Sequence, residues 1–237
     1  MNILITGCSR GIGYETALKL SEIEGIKVIA TSRNAGELEK LRLESLKKNK
    51  SARILPVVFD LENGNIATLA TLLKEEVGTL DILINNAALA LVKPFEQVQE
   101  QDFEQVYRVN VFRPAMLIKA ILPFMNGSGK YGAHIVNISS IGGLQGSVKF
   151  PGLSVYSSSK AALCGLTECL AVELKDKHVS VNALCLGGVN TEMLKQAFPG
   201  YTAPVEASDM GRYIAWFALN GHQFQNGHVI PVSLSTP

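Results

Sequence analysis

The sequence predicts a doubly wound α/β fold, a parallel sheet of about seven strands with helices on both faces. Three observations predict it. Short apolar runs of strand length alternate with helix-like stretches from one end of the chain to the other. Those runs are apolar enough to be buried on both sides, as parallel strands are. Polar residues collect just after the strands, the edge where open α/β sheets bind ligands. No linker, repeat or low-complexity segment interrupts the pattern. The expectation is one domain over 1–237, with a short loop segment at about 190–205.

Each element has its own signal. Asn2-Ile3-Leu4-Ile5 reads as a first strand, Thr6–Gly13 as a glycine-rich turn, and Tyr14–Leu20 as the start of a helix. Ile26–Thr31 is a second strand, and a charged helix over about 35–50 carries leucines at 38, 41, 43 and 46. Ile54–Phe59 is a third strand, whose proline is tolerable near the start. A helix over 66–77 and a strand over 80–84 follow. The periodicity then predicts a long helix over about 101–125, bent or divided at Pro114. Strands at 133–138, 179–184 and 227–232 alternate with helices over about 155–175 and 207–219. Residues 186–204 read as loop-like, with room for a short helical turn.

Composition removes several function classes. Of the 237 residues, 47% are hydrophobic and 18% charged, so the chain is globular rather than disordered. A net charge of +1 gives no case for a nucleic-acid or anionic-membrane surface. No apolar run reaches the length of a membrane span. The chain enters its first strand at once, which predicts no signal peptide. Cys8, Cys164, Cys169 and Cys185 form no metal-type C-x-x-C pair, and none of the histidines stands at ligand spacing from them. Reduced thiols and a cytoplasmic location are expected.

The chemistry begins at Thr6-Gly7-Cys8-Ser9-Arg10-Gly11-Ile12-Gly13. A strand, a glycine turn and a helix in that order suit a pyrophosphate, because a helix N-terminus offers unpaired N–H groups and a positive dipole end. Glycines let the backbone approach the phosphates, and Gly13 lets helix and strand pack closely. Taken alone, such a turn binds nothing in many proteins. Further along, Tyr156 and Lys160 stand four apart at a helix start and share a face. Ser140 ends the preceding strand. A tyrosine's ordinary pKa is too high for acid–base work near neutrality, and a nearby ammonium lowers it. With a serine hydroxyl on the same oxygen, the set suits carbonyl reduction.

Thr6-Gly7-x-x-x-Gly11-x-Gly13, Asp60, Asn85-Asn86-Ala87, Asn110, Ser140 and Tyr156-x-x-x-Lys160 occur in one order. On these motifs the chain resembles the compact, single-domain short-chain dehydrogenases/reductases, from Met1 to about Val232. The resemblance implies that Tyr156 is the acid–base residue and that Ser140 polarises or positions the substrate oxygen, Ser139 being the alternative. It implies that Lys160 holds the nicotinamide ribose and lowers the Tyr156 pKa. Asn110 would kink the long helix and hold a water in a proton relay to Lys160.

Cofactor contacts follow in the same way. Gly7, Ser9, Arg10, Gly11, Ile12 and Gly13 would surround the phosphates and adenosine. Asp60 and Leu61 would meet the adenine, Asn86 and Ala87 the adenosine ribose region, and Val189 and Thr191 the carboxamide and nearby phosphate. Ala88 stands where the family has glycine, and Leu186 where it has proline, which implies a crowded cofactor and a less rigid loop.

Cofactor choice has a physical basis. NAD-selective sites place an acid just after the second strand, on the ribose 2′-OH. Here Thr31-Ser32-Arg33-Asn34 carries none. Arg33 suits a 2′-phosphate, and Arg10 approaches it from the other side and stacks on the adenine. The reading is an NADP(H)-dependent oxidoreductase interconverting a carbonyl and an alcohol on a small or medium, largely apolar substrate. Leu89–Phe95, Gly142–Pro151 and Met193–Phe198 would line the pocket. The alternatives are an NADP(H)-binding sensor or scaffold with marginal catalysis, and a lyase or epimerase on the same scaffold. No nucleic acid, membrane or metal is implied. A homodimer or homotetramer is, through the helices over 101–125 and 155–175.

Overall fold

The computed structural model describes residues 1–127 and 129–234. One seven-stranded sheet organises them. Its strands are β1 (Asn2–Thr6), β2 (Lys27–Ser32), β3 (Arg53–Val58), β4 (Ile82–Asn85), β5 (Ala133–Ser140), β6 (Val179–Leu186) and β7 (Val229–Val232). They lie in the order β3-β2-β1-β4-β5-β6-β7 and every pair is parallel. The chain runs outward from β1 to β3, then returns to β4 beside β1. That reversal opens a crevice at the carboxyl ends of β1 and β4, where such sheets bind ligands.

The helices are α1 (Gly11–Ser21), α2 (Ala35–Lys48), α3 (Ile66–Val77), α4 (Glu100–Tyr107), α5 (Arg113–Ile121), α6 (Ser154–Glu173), α7 (Glu192–Ala197) and α8 (Ala207–Asn220). β1 shows why the sheet is covered twice. Ile3 and Ile5 join one core with Leu18 of α1, Leu38 of α2 and Ile214 of α8. Leu4 joins the other with Leu73 of α3, Leu117 of α5 and Ala171 of α6. A strand's side chains alternate between faces, so a run apolar at every position needs both faces buried. Local caps set the helix starts. Asn34 accepts from the Glu37 N–H, and Asn65 from those of Ala67 and Thr68.

Two details depart from the sequence expectation, the break in the long helix and the start of β4. The long helix divides at a π-helical turn, Arg108–Phe112, before Pro114 is reached. Pro114 sits in the first turn of α5, where its missing N–H breaks no ladder bond. The loop after β6 holds the two-turn helix α7, started by Thr191, whose hydroxyl accepts from the Leu194 N–H at 3.2 Å. Leu80 lies outside β4 and makes an isolated bridge to Met125. No helix among the described residues is long and apolar enough to cross a membrane.

Candidate active site

The glycine turn is built by close approach. Gly7 has φ 77°, and a Cβ there would stand 2.9 Å from the Ala87 Cα. The Gly7 and Cys8 N–H groups both donate to the Thr31 carbonyl, each at 2.9 Å, tying the turn to β2. A Cβ on Gly13 would stand 2.3 Å from the Asn86 Nδ2 and 2.4 Å from the Gly7 carbonyl oxygen. α1 therefore starts hard against β1 and the end of β4. Arg10, the residue before α1, gives no side-chain cap. The first N–H groups of that helix thus lack a side-chain acceptor, as an anion site requires.

Asn86 fastens the glycine turn to the end of β4. Its amide donates to the Thr6 carbonyl at 2.9 Å and the Gly7 carbonyl at 3.1 Å. The Asn86 and Ala87 N–H groups both donate to the Thr6 hydroxyl. Both side-chain donors are thus spent on fastening the turn to β4, although Asn86 and Ala87 still line the cleft.

Further along the same edge, Asp60 accepts from the Glu62 N–H at 2.9 Å and from Asn63 at 3.1 Å. Partial burial would raise its carboxyl. The hydrogen bonds from Asn63 and Glu62 and the nearby Arg33 charge outweigh that and lower it. Arg113 donates to the carbonyls of Leu61 and Gly64 and so clamps this turn from α5. Nothing in the sequence singled Arg113 out, because its partners are main-chain atoms more than forty residues away. Arg33 is exposed at the end of β2 and lines the cleft. Arg10 lines it too, but is paired with Glu192 at the start of α7.

At the end of β5 the two serines separate cleanly. Ser139 is buried, and its hydroxyl donates to the Lys160 carbonyl at 2.9 Å. Ser140 faces the cleft, accepts from the Gly142 N–H at 3.2 Å and hydrogen-bonds the Tyr156 phenol. Lys160 is only 2% exposed. Its ammonium donates to the Ile138 carbonyl at 2.7 Å and lies 5.8 Å from the centre of the Tyr156 ring.

The electrostatics differ from the expectation. Burial pushes the Tyr156 phenol up to about 12, and only the Ser140 hydrogen bond works against it. The Lys160 ammonium, expected to lower it, donates to the Ile138 carbonyl and stands 5.8 Å from the ring centre. Burial also brings Lys160 itself down to about 8, partly offset by the nearby Cys164 and Cys185.

Asn110 sits in the π-helical turn and is 1% exposed. Its Oδ1 accepts from the Leu89 N–H at 2.8 Å, and its Nδ2 donates to the Leu89 carbonyl and to the Ser159 hydroxyl, both at 2.9 Å. The side chain thereby pins the segment after β4 against α6. Its amide donors are both engaged, so the amide does not supply a free donor to a relay. A π-turn is a frequent mark of functional positions.

One cleft of about 630 Å³ joins these groups. Gly7, Ser9, Arg10, Gly11, Ile12, Gly13, Asp60, Leu61, Val189 and Thr191 line it together with Ser140, Tyr156 and Lys160. The Thr191 methyl lies 3.5 Å from where a Cβ on Gly11 would stand, so the loop after β6 meets the glycine turn directly. Leu89, Phe150, Met193 and Phe198 line the apolar part, where the Phe150 and Phe198 rings meet edge-on at 5.2 Å. Phe95, expected there, is 68% exposed and outside the cleft. Leu186 closes β6 in register with Ser140 and Val232, so the missing proline leaves no slack at that point.

A parallel sheet with a glycine turn at its switch point defines a dinucleotide-binding class of α/β protein. Comparison with known proteins is more particular. Residues 1–202 match the short chain dehydrogenase family, and the chain belongs to that family of oxidoreductases, which use nicotinamide cofactors. The chain is 34% identical to the L-2,3-butanediol dehydrogenase of Corynebacterium glutamicum, over 81% of this chain and 73% of that one. It is 33% identical to carbonyl reductase (NADPH) 2 of Sus scrofa, over 78% and 70%. A Shigella flexneri protein described as a short chain dehydrogenase and solved with NADP superposes with a TM-score of 0.86 at 27% identity. That match covers 97% of this chain and 95% of that one.

Proposed function

We propose that this chain is an NADP(H)-dependent oxidoreductase that interconverts a carbonyl and an alcohol on a small or medium, largely apolar substrate. The observation that carries the reading is the hydrogen-bonded Ser140–Tyr156 pair facing the cleft, with the Lys160 ammonium 5.8 Å from the ring.

The residues present fit a dinucleotide. Gly7, Gly11 and Gly13 line the cleft where α1 begins without a side-chain cap, so the first N–H groups of that helix stand at the cleft without a side-chain acceptor. The bound nicotinamide supplies or accepts a hydride. Every other part of the reaction falls to the chain. Gly7, Ser9, Gly11, Ile12 and Gly13 hold the phosphates and adenosine. Asp60, Leu61, Asn86 and Ala87 border the adenine and its ribose. Val189 and Thr191 border the nicotinamide end, and Lys160 holds its ribose. Ser140 positions the substrate oxygen. Tyr156 hands that oxygen a proton in reduction and takes it back in oxidation. A phenol pushed up to about 12 carries its proton at neutral pH, so the donating role, in reduction, is the one its protonation state supports. Asn110 positions the cleft wall through Leu89 and Ser159. The apolar wall around Phe150 and Phe198 favours an uncharged carbonyl compound.

NADP(H) is preferred over NAD(H) because β2 ends in Ser32-Arg33 with no carboxylate. Arg33 and Arg10 both border the cleft. The chain pairs with copies of itself in this reading. Phe103, Phe112 and Met116 on the helix–turn–helix over 100–121, and Val172 on α6, are exposed large apolar residues on the helices named for pairing. The testing experiment is a panel of aldehydes and ketones followed by loss of NADPH absorbance. No consumption with any member overturns the reading.

A further inference from the structure

Outside the chemistry above, two unused nucleophiles meet in the core behind it. Cys164 lies on α6, one turn after Lys160. Cys185 lies on β6, in register with Ser139 of β5. Their Sγ atoms are 3.6 Å apart. The Cys164 thiol also donates to the Ser139 hydroxyl at 3.3 Å, and that hydroxyl holds the Lys160 carbonyl. Both thiols are free and buried, Cys185 completely and Cys164 at 8% exposure.

We propose that Cys164 and Cys185 form an oxidation site, a thiol pair that a hydroperoxide closes to a disulfide behind the catalytic lysine. The gap is already short. A disulfide needs about 2.05 Å between sulfurs, so side-chain rotation with a small approach of α6 to β6 closes it. The two thiols divide the work. Cys164 keeps 8% of its surface exposed where Cys185 keeps none, and it stands one turn from Lys160, so a hydroperoxide reaches Cys164 first. Cys164 is therefore the attacking thiolate and Cys185 the resolving thiol.

The chemistry balances with one hydroperoxide. The Cys164 thiolate attacks the terminal oxygen, the O–O bond breaks, and the alcohol or water leaves with a proton. Cys164 is then a sulfenic acid. The Cys185 sulfur attacks the Cys164 sulfur, the S–O bond breaks, and the hydroxide departs with the Cys185 proton as water. Two thiols are oxidised and one hydroperoxide is reduced. The disulfide has no S–H, so the hydrogen bond from Cys164 to the Ser139 hydroxyl is lost, and with it one of the contacts that set the hydroxyl holding the Lys160 main chain. The consequence for turnover rests on the oxidoreductase reading; formation of the disulfide does not.

The test is peptide mapping by mass spectrometry, without reductant, of the whole protein treated with hydrogen peroxide or cumene hydroperoxide. A linked Cys164–Cys185 peptide, two hydrogens lighter than its reduced parts, is expected. It should disappear in both Cys164→Ser and Cys185→Ser. Oxidation confined to Cys8 or Cys169, or no linked peptide, overturns the proposal. The mapping on the unmutated protein decides this even where a variant does not fold. In the same samples the oxidised protein should lose most of its NADPH-dependent turnover and recover it with dithiothreitol. Equal loss in Cys164→Ser assigns the inactivation to another thiol and overturns the link to Lys160. A reduced protein inactive on every carbonyl compound counts against the oxidoreductase reading alone, because the peptide map is independent of it.

Discussion

Gly13 and Asn86 are fitted to one another: a Cβ on Gly13 would stand 2.3 Å from the Asn86 amide nitrogen, which itself donates to Thr6 and Gly7. A side chain at 13 must displace the fastening between the glycine turn and β4. Gly13→Ala is expected to destabilise the fold by about 1–3 kcal/mol, the range for overpacking a close contact. It should also weaken cofactor binding. Urea unfolding and a cofactor titration measure both. An alanine variant as stable as the unmutated protein would show that the turn relaxes without cost.

Tyr156→Phe should keep cofactor binding nearly unchanged and lower turnover by at least about a hundredfold, the scale of a general acid. The basis is the phenol hydrogen-bonded to Ser140 at the cleft. Steady-state rates with any reduced member of the carbonyl panel provide the measure. Near-normal turnover in the phenylalanine variant removes Tyr156 from the proton step.

Lys160 gives a pH-dependent stability. Burial holds its ammonium down at about 8, whereas in the unfolded chain a lysine keeps its proton to about 10.4. Below pH 8 both states are protonated and the burial penalty is present in full. Between the two values the unfolded state binds more protons, so stability rises with pH. From pH 7.5 to 9.5 the unmutated protein should gain about 1–2 kcal/mol relative to Lys160→Met. Urea unfolding at a series of pH values reads the difference. Parallel curves would show that the ammonium is not held in a low-dielectric site.

Cofactor choice turns on Arg33. A charge-assisted hydrogen bond contributes roughly 1.5–3 kcal/mol, so one arginine separates the two cofactors by about tenfold to a hundredfold. Arg33→Asp should weaken NADPH binding strongly and leave NADH binding equal or better. The aspartate would repel a 2′-phosphate and accept from a 2′-OH. Fluorescence titration with both cofactors is the measurement. Equal affinity of the unmutated protein for NADH and NADPH would sink the preference.

The strand and helix pattern was legible because each apolar run carries its own period. The same holds for the glycine turn, for Tyr156 and Lys160 on one helix face, and for Ser140 at a strand end. Residues such as Asn86 and Asn110 were legible as positions but not as partners. Their amides bind main-chain carbonyls of Thr6, Gly7 and Leu89, and main-chain atoms leave no trace in residue type. The break in the long helix was assigned to Pro114, the residue with a local signal. It falls at Arg108–Phe112, around Asn110, whose amide brackets the Leu89 main chain in the segment after β4.

Sequence by itself determined the sheet, its parallel sense and the edge on which the chemistry gathers. These follow from local periodicity and from the short connections between neighbouring elements. Only the tertiary structure decided which serine faces the cleft, where the Lys160 ammonium points, that Arg10 is held by Glu192, and that Cys164 meets Cys185. Each of these is a contact between residues far apart in the chain, and its energy depends on distance and burial. Neither quantity exists until the two faces of the sheet are covered.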